Sequence, residues 1–461
     1  MKIKLLTFGI LGISLVSLLQ SCKSDDADAY TPINIIAEAD VSEGFQDETL
    51  TIPIFDNDQN IPENATVQIE GLGTGAVQLL DPNNTPNTIL DDVIEYVPNA
   101  NYSETDTFQY TICDEEGMSC DSAEVSIKIY KPLNIDLGAL PYEKLSDYNF
   151  FYASLANQEP VPGVLPYEPI STLFTDYAHK KRFVWMPKGV SAEYVGDGDL
   201  LNFPDGAILV KTFYYDNVLP SNTTQIIETR LLIKRGGTWE FADYIWDEAQ
   251  QEAILNTSGN GANVPIEWVQ NGETRSINYR IPSTAECFIC HKNSDQIIPI
   301  GPKPQNLNGN YQDGLTSFNQ LQRWIEEGYL MSNLPPNIET VIDWEDTSEA
   351  IELRVRSYMD INCAHCHVDG GHCGARSIRL AFRESSDLEN MGVCSIPDMP
   401  IPGYDDTTLI VPGEADNSIL FFRVATTQEE YRMPMTGRTI AHDEFVTLLE
   451  EWINSLTITC D

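Results

Sequence analysis

Basic residues are scarce in this chain. It has 27 lysines and arginines against 70 aspartates and glutamates, a formal charge of −43 at pH 7. Nucleic acid and anionic membrane surfaces both demand a basic face, so neither is an expected partner. Metal ions or a cationic partner stay compatible, and the solubility of an exported protein accounts for the acidity most simply. No Ser/His/Asp arrangement and no paired-carboxylate motif stands out from the acidic background. "GLGTG" at 71–75 lacks the full dinucleotide-binding spacing and runs into no helical pattern, so it reads as a glycine turn. No βαβ alternation precedes any Cys-x-x-Cys pair. What is present is enough apolar residue, 42%, for packed cores, and enough length, 461 residues, for about three domains.

The N-terminus, "MKIKLLTFGILGISLVSLLQSC", has two lysines, an apolar run and small residues before Cys22. The run is short for a spanning helix and has the flanks of a signal peptide. "LLQSC" resembles the lipobox of bacterial lipoproteins, which implies that Cys22 is the lipidated first residue of the mature chain; the alternative is an ordinary cleaved signal with a stray cysteine. The acidic "KSDDADA" that follows resembles the signal that sends some lipoproteins to the outer face of the outer membrane. The resemblance implies an outer-membrane lipoprotein on the periplasmic or cell-surface side.

Export places the ten cysteines in an oxidising space. Cys113 and Cys120, in "TICDEEGMSCDS", are expected to bridge a hairpin loop. Cys373, Cys394 and Cys460 cannot all pair with one another. Cys287, Cys290, Cys363 and Cys366 form two Cys-x-x-Cys pairs.

Residues 31–131 contain short alternating or β-branched runs such as "DTFQYTICD" and "AEVSIKIY", separated by turn clusters, which argues a β-sandwich. The segment resembles the cadherin-like and immunoglobulin-like spacers of bacterial surface proteins. Asp56 and Asp58 are either calcium ligands or turn caps. Residues 146–285 carry strand-like runs about ten residues apart, with heavy aromatics, and predict a second β-rich domain, placed at 140–345. From about 317 onward "FNQLQRWIEEGYL", "SEAIELRVRSYMD" and "HDEFVTLLEEWINSL" have helical spacing, the last with Phe445, Leu448, Leu449, Trp452 and Ile453 along one stripe.

"ECFICHK" and "NCAHCHV" both read Cys-x-x-Cys-His: Cys287, Cys290, His291 and Cys363, Cys366, His367. Two such motifs in one exported chain signal covalently attached haem, in which paired thiols add to the vinyl groups and the histidine ligates iron. A zinc site and a redox dithiol are the rivals. Structural zinc pairs usually lie about 15–20 residues apart, far closer than these, and a redox dithiol would sit at a helix start after a βαβ unit.

The order of an amphipathic helix, Cys motif, long loop, "YRMPMTGR" and a last helix resembles class I cytochrome c. That resemblance implies a mostly α domain over 346–461 and Met433 as second ligand to the iron held by His367, with Met435 the rival. Nearly all of 146–461 resembles a family of exported bacterial two-haem c-type cytochromes of unestablished activity. "FPDGAILVK" is similar to β-sheet cytochromes that oxidise hydroxylamine, in which a lysine cross-links to haem; Lys211 would be that lysine. His179 is the histidine best suited to the distal side of the first haem, and its rival reading is a surface residue in "HKKR". His442 reads as a helix-start or surface residue.

The expected whole is multidomain: signal peptide 1–21, acidic tether 22–30, Ig/cadherin-like sandwich 31–131, β-rich haem domain 140–345, and mostly α cytochrome c-like domain 346–461. Its expected cofactors are two haem c groups. Its expected partners are a redox protein or a small electron donor or acceptor, and the outer membrane through the anchor. Extracytoplasmic electron transfer is the leading function; a haem enzyme acting on a small molecule at the first haem is the alternative.

Overall fold

The computed structural model describes residues 30–460, apart from 72, 315, 405 and 406. The expected signal peptide, Cys22 and the tether through residue 29 lie outside the described residues. The chain divides into two compact units, one ending at Ile129 and the other starting at Tyr130.

Among its described residues the first unit has seven strands: β1 (Asp40–Phe45), β2 (Leu50–Ile52), β3 (Thr66–Glu70), β4 (Ala76–Leu80), β5 (Val93–Val97), β6 (Thr105–Cys113) and β7 (Cys120–Tyr130). A four-stranded sheet runs β1-β7-β6-β3 and a three-stranded sheet β2-β5-β4. The period of two dictates what each face buries: along β6, Asp106, Phe108, Tyr110 and Ile112 are buried while Thr105, Thr107 and Gln109 are exposed. The inward Asp106 is satisfied by the Tyr96 hydroxyl at 2.7 Å and by the Gly75 N–H at 2.8 Å. Cys113 and Cys120 face each other across the β6–β7 hairpin and form the expected disulfide.

The second unit is organised on an eight-stranded sheet of β8 (Leu165–Pro166), β9 (His179–Trp185), β10 (Ile208–Val218), β11 (Thr223–Arg235), β12 (Thr238–Trp246), β13 (Ala253–Leu255), β14 (Ala262–Gln270) and β15 (Glu273–Ile281). The order is β13-β12-β11-β10-β14-β15, with β9 also on β10 and β8 on β9. Six helices follow: α1 (Thr284–His291), α2 (Pro304–Leu307), α3 (Gln320–Glu326), α4 (Ile351–Asn362), α5 (Ile419–Ala425) and α6 (Asp443–Ser455). None is long and apolar enough to cross a membrane among the described residues.

The stripe expected on α6 is what buries it: Phe445, Leu448, Leu449, Trp452 and Ile453 are all in the core. Tyr358 of α4 stacks on Phe445 at 3.5 Å between ring centroids. The expected mostly α cytochrome c-like domain is nevertheless not what forms. Helix accounts for 14% of a β-rich structure, and among the described residues no α-helix lies between Asn362 and Ile419. That stretch contains Pro397, Pro400, Pro402 and Pro412, each of which removes a helical N–H, and a run of glycines besides. The three helical segments were legible; the cysteine-to-methionine connection is irregular chain. Residues 130–461 are one compact unit, and the expected seam at 345/346 lies within it. A second disulfide, Cys394–Cys460, joins this irregular stretch to the C-terminus.

Candidate functional site

Cys287, Cys290 and His291 of the first motif and Cys363 and His367 of the second line one cavity of about 330 Å³, within the size range of cofactor pockets, and Cys366 lines a small neighbouring cavity with Cys290 and Cys363. The first motif is on α1. Ser283 caps that helix by accepting from the Glu286 N–H, and the Glu286 carboxylate accepts in return from Ser283 N–H and from Arg280. On the helix Cys287, Cys290 and His291 are at i, i+3 and i+4, so all three share one face. The second motif begins where α4 ends: Cys363 donates its N–H to the Met359 carbonyl, and the N–H groups of Cys366 and His367 both return to the Cys363 carbonyl. That tight turn folds His367 back toward Cys363.

The motifs meet. Cys290 and Cys366 share a hydrogen bond that lowers the Cys290 thiol and raises Cys366, and the Cys366 thiol also donates to the Ile289 carbonyl at 3.5 Å. Their sulfurs and a ring nitrogen of His365 lie within 4.8 Å of one another. Cys287, Cys290, Cys363, Cys366 and Cys373 form no disulfide. Burial pushes the Cys287 thiol up to about 11 and Cys363 to about 12, so both are neutral at pH 7.

The histidines suit metal ligation. His291 Nδ1 lies 2.8 Å from the Ile298 carbonyl. A carbonyl only accepts, so Nδ1 carries the proton and Nε2 keeps its lone pair, the arrangement by which a backbone oxygen orients a ligating imidazole. Burial holds His291 and His367 down to about 4, so both are neutral. His367 Nδ1 is buried with no hydrogen-bond partner among the described residues. The free thiols, the neutral His291 and His367, the first of them oriented by Ile298, and largely apolar walls, among them Leu209, Phe241, Leu380 and Leu420, are the donor chemistry and surroundings that haem attachment would use. The rival set of Cys290, His365 and Cys366 supplies three zinc donors, one short of a structural site.

Met433 and Met435 both line the cavity. The Met433 backbone is held on two sides: its N–H donates to the Arg423 carbonyl at 2.8 Å, and its own carbonyl accepts from Arg438 at 2.9 and 3.1 Å. His179 is not at the cavity; it is exposed on β9 beside Tyr214 and Asp216. His442 begins α6 as expected but is not on the surface. It stacks on Phe174 at 4.1 Å, its Nδ1 pairs with the Tyr358 hydroxyl at 2.9 Å, and it borders the cavity.

Residues 30–128 match the family model of a bacterial Ig domain. That segment is a bacterial Ig-like domain. No curated protein matches the chain. Among solved structures, a Photobacterium 2,6-sialyltransferase is similar at 14% identity over 21% of this chain and 18% of that one, TM-score 0.15. A glycoside hydrolase family 107 endo-fucoidan hydrolase is similar at 9% over 54% and 28%, TM-score 0.17. A SusE-like surface polysaccharide-binding protein from Bacteroides thetaiotaomicron is similar at 10% over 47% and 36%, TM-score 0.16. The chain thus spans well under half of each.

In the Ig-like domain, Asp58 accepts from the Glu38 N–H at 2.7 Å and from the Tyr110 hydroxyl at 3.0 Å, the work of a loop cap.

Sequence reading missed three residues that matter at the cavity. Arg438 is buried and donates to the Met433 carbonyl. Arg230 and Asp243 face the cavity from β11 and β12; only strand register, which no motif encodes, brings Arg230 beside Lys211 and Asp243 beside Arg230. Burial, then the Glu228 charge, pushes the Asp243 carboxyl up to about 8, whereas an unfolded aspartate titrates near 3.9. The folded state therefore binds the extra proton between about pH 4 and 8, and stability falls as pH rises through that window. Asp243→Asn is expected to leave stability unchanged near pH 4 and to raise it by at least about 1 kcal/mol at pH 8. Urea denaturation of parent and variant at both pH values checks this; an equal difference at both refutes it.

Proposed function

We propose that this is an exported, lipid-anchored protein that attaches two haems and passes electrons outside the cytoplasm. The observation that carries the reading is the meeting of the two Cys-x-x-Cys-His motifs, with Cys290 against Cys366, on one largely apolar cavity. Bound haem would supply a one-electron iron couple at each motif. Cys287 and Cys290 would hold one haem with His291 as iron ligand; Cys363 and Cys366 would hold the other with His367. Met433 would complete the second site. The reading also rests on the likeness of 146–461 to exported two-haem c-type cytochromes. A pyridine haemochrome assay and intact mass on the purified protein should count two covalent haems. Bound zinc, or free thiols without haem, would reject it.

A thioether ligand raises the potential of haem iron. Met433→Ala is therefore expected to lower one of two reduction steps and leave the other in place, as spectroelectrochemical titration would resolve. If neither step moves, Met435 or another side chain is the ligand. The membrane partner is expected through an acylated Cys22, since each buried CH₂ contributes about 0.8 kcal/mol. Cys22→Ala should release the protein from membranes or leave it unprocessed; unchanged fractionation would reject the anchor.

A second reading, a haem enzyme acting on a small molecule at the first motif, is favoured by the polar wall that Lys211, Arg230 and Asp243 make on that cavity.

A further inference from the structure

The sheet carries an unusual row of charge. Arg182 of β9 is opposite Lys211 of β10, Lys211 is opposite Arg230 of β11, and Arg230 is opposite Asp243 of β12. Residues directly opposite in antiparallel strands share a face with Cβ atoms about 5 Å apart, where like charges repel. Three cations are thus adjacent in protein surroundings.

Two of them have partners. Arg230 donates through Nε and Nη2 to Glu228, whose side chain is fully buried. Arg182 lies 3.8 Å from Glu168. Lys211 has no hydrogen bond or ion pair to any described residue; its Nζ is 5.0 Å from the Phe213 ring centre. Burial holds its ammonium well below the usual lysine range, and neighbouring Arg182, Lys180 and Arg230 lower it further. A lysine set among like charges in a cavity wall, with no ion pair of its own to a described residue, is costly to charge, and an anion reaching it would relieve the repulsion. The way in exists: Lys211 and Arg230 line the cavity together with Cys287 and His291.

We propose that Lys211 and Arg230 form an anion site on this cavity, which takes a carboxylate or a small oxyanion. A haem propionate and a free anion would meet the same cations. The site stands on the charge row, and its failure is separable from failure of haem attachment, which is counted independently.

The test titrates acetate and inorganic phosphate into the full-length protein by calorimetry, in the parent, in Lys211→Met and in Lys211→Arg. Lys211→Met leaves the Arg230–Glu228 pair intact, so it is expected to fold at least as stably as the parent; Lys211→Arg keeps the charge and serves if it does not. If a free anion is the ligand, the parent binds a probe, Lys211→Met binds it ten- to a hundredfold more weakly, as loss of one charge-assisted hydrogen bond implies, and Lys211→Arg retains it. If a propionate fills the site, neither probe binds, and Lys211→Met lowers one haem potential with the covalent haem count unchanged. The proposal is overturned if the parent binds neither probe and no potential moves, or if Lys211→Met binds a probe as well as the parent. It is also overturned if peptide mass spectrometry finds Lys211 covalently joined to haem, since that bond consumes the cation.

Discussion

Serine at Cys287 and Cys290 should remove one of two covalent haems and leave the other, and serine at Cys363 and Cys366 should do the converse. The expectation separates haem from zinc more sharply than a metal analysis of the parent alone. The tightest donor group, Cys290, His365 and Cys366, draws one thiol from each motif. If that group held zinc, both double variants would break the same site and both would lose all bound metal. If each motif holds its own haem, the losses are independent: each variant keeps half the haemochrome absorbance, and its mass falls by one haem. Cys287 and Cys363 are no part of the zinc group, so Cys287→Ser and Cys363→Ser alone would leave the metal content unchanged if the metal were zinc, whereas with haem each should weaken attachment at its own motif. Loss of all metal from either double variant, with no haemochrome in the parent, would end the two-haem reading.

What could be read in the sequence was what lies close along the chain. The β6 alternation, the Cys113–Cys120 hairpin and the α6 stripe are local patterns with periods of two and 3.6 residues, and each appears in the structure. The motifs themselves were legible for the same reason: α1 sets Cys287, Cys290 and His291 on one face through spacing alone. Their meeting was not legible. It depends on how α1 and the end of α4 pack, and no residue in either motif announces the other. The row from Arg182 to Asp243 is hidden in the same way, because register across four strands sets it. The mostly α expectation for 346–461 failed by extending two sound helices, α4 and α6, across a connection whose prolines and glycines oppose helix. For His442 the helix-start reading holds and the surface one does not, because its ring is half-buried among aromatics: it stacks on Phe174 and meets Tyr358 and Trp344 at an angle, and the stripe criterion asks only about apolar residues.

Arg438→Met should be the most damaging single substitution near the cavity. Arg438 is 4% exposed. Its guanidinium donates to five backbone carbonyls: Met433, Ile440, Arg423, Val424 and Thr426, at 2.9 to 3.1 Å. These lie at the end of α5, just beyond it, and on the loop that carries Met433, where irregular chain has no ladder to satisfy its carbonyls. One planar side chain thus replaces the hydrogen bonding that a helix or sheet would supply. Methionine keeps much of the volume and none of the donors. Each hydrogen bond to a charged group contributes about 1.5–3 kcal/mol, and carbonyls left buried and unmet add a penalty. Shared donors make these contributions less than additive, so a loss of at least about 3 kcal/mol is expected in urea denaturation. Lysine reaches fewer carbonyls with one ammonium and should recover only part of it. The loss should be felt first at the loop: amide exchange of Met433, whose N–H bonds to the Arg423 carbonyl, should accelerate more than exchange in β10 or β11. If Met433 ligates iron, Arg438→Met should also lower the same reduction step as Met433→Ala, because a loop no longer clamped cannot hold its sulfur on the metal. A variant as stable as the parent, with unaltered exchange at Met433, would show that the five carbonyls are met some other way and that Arg438 does not position this loop.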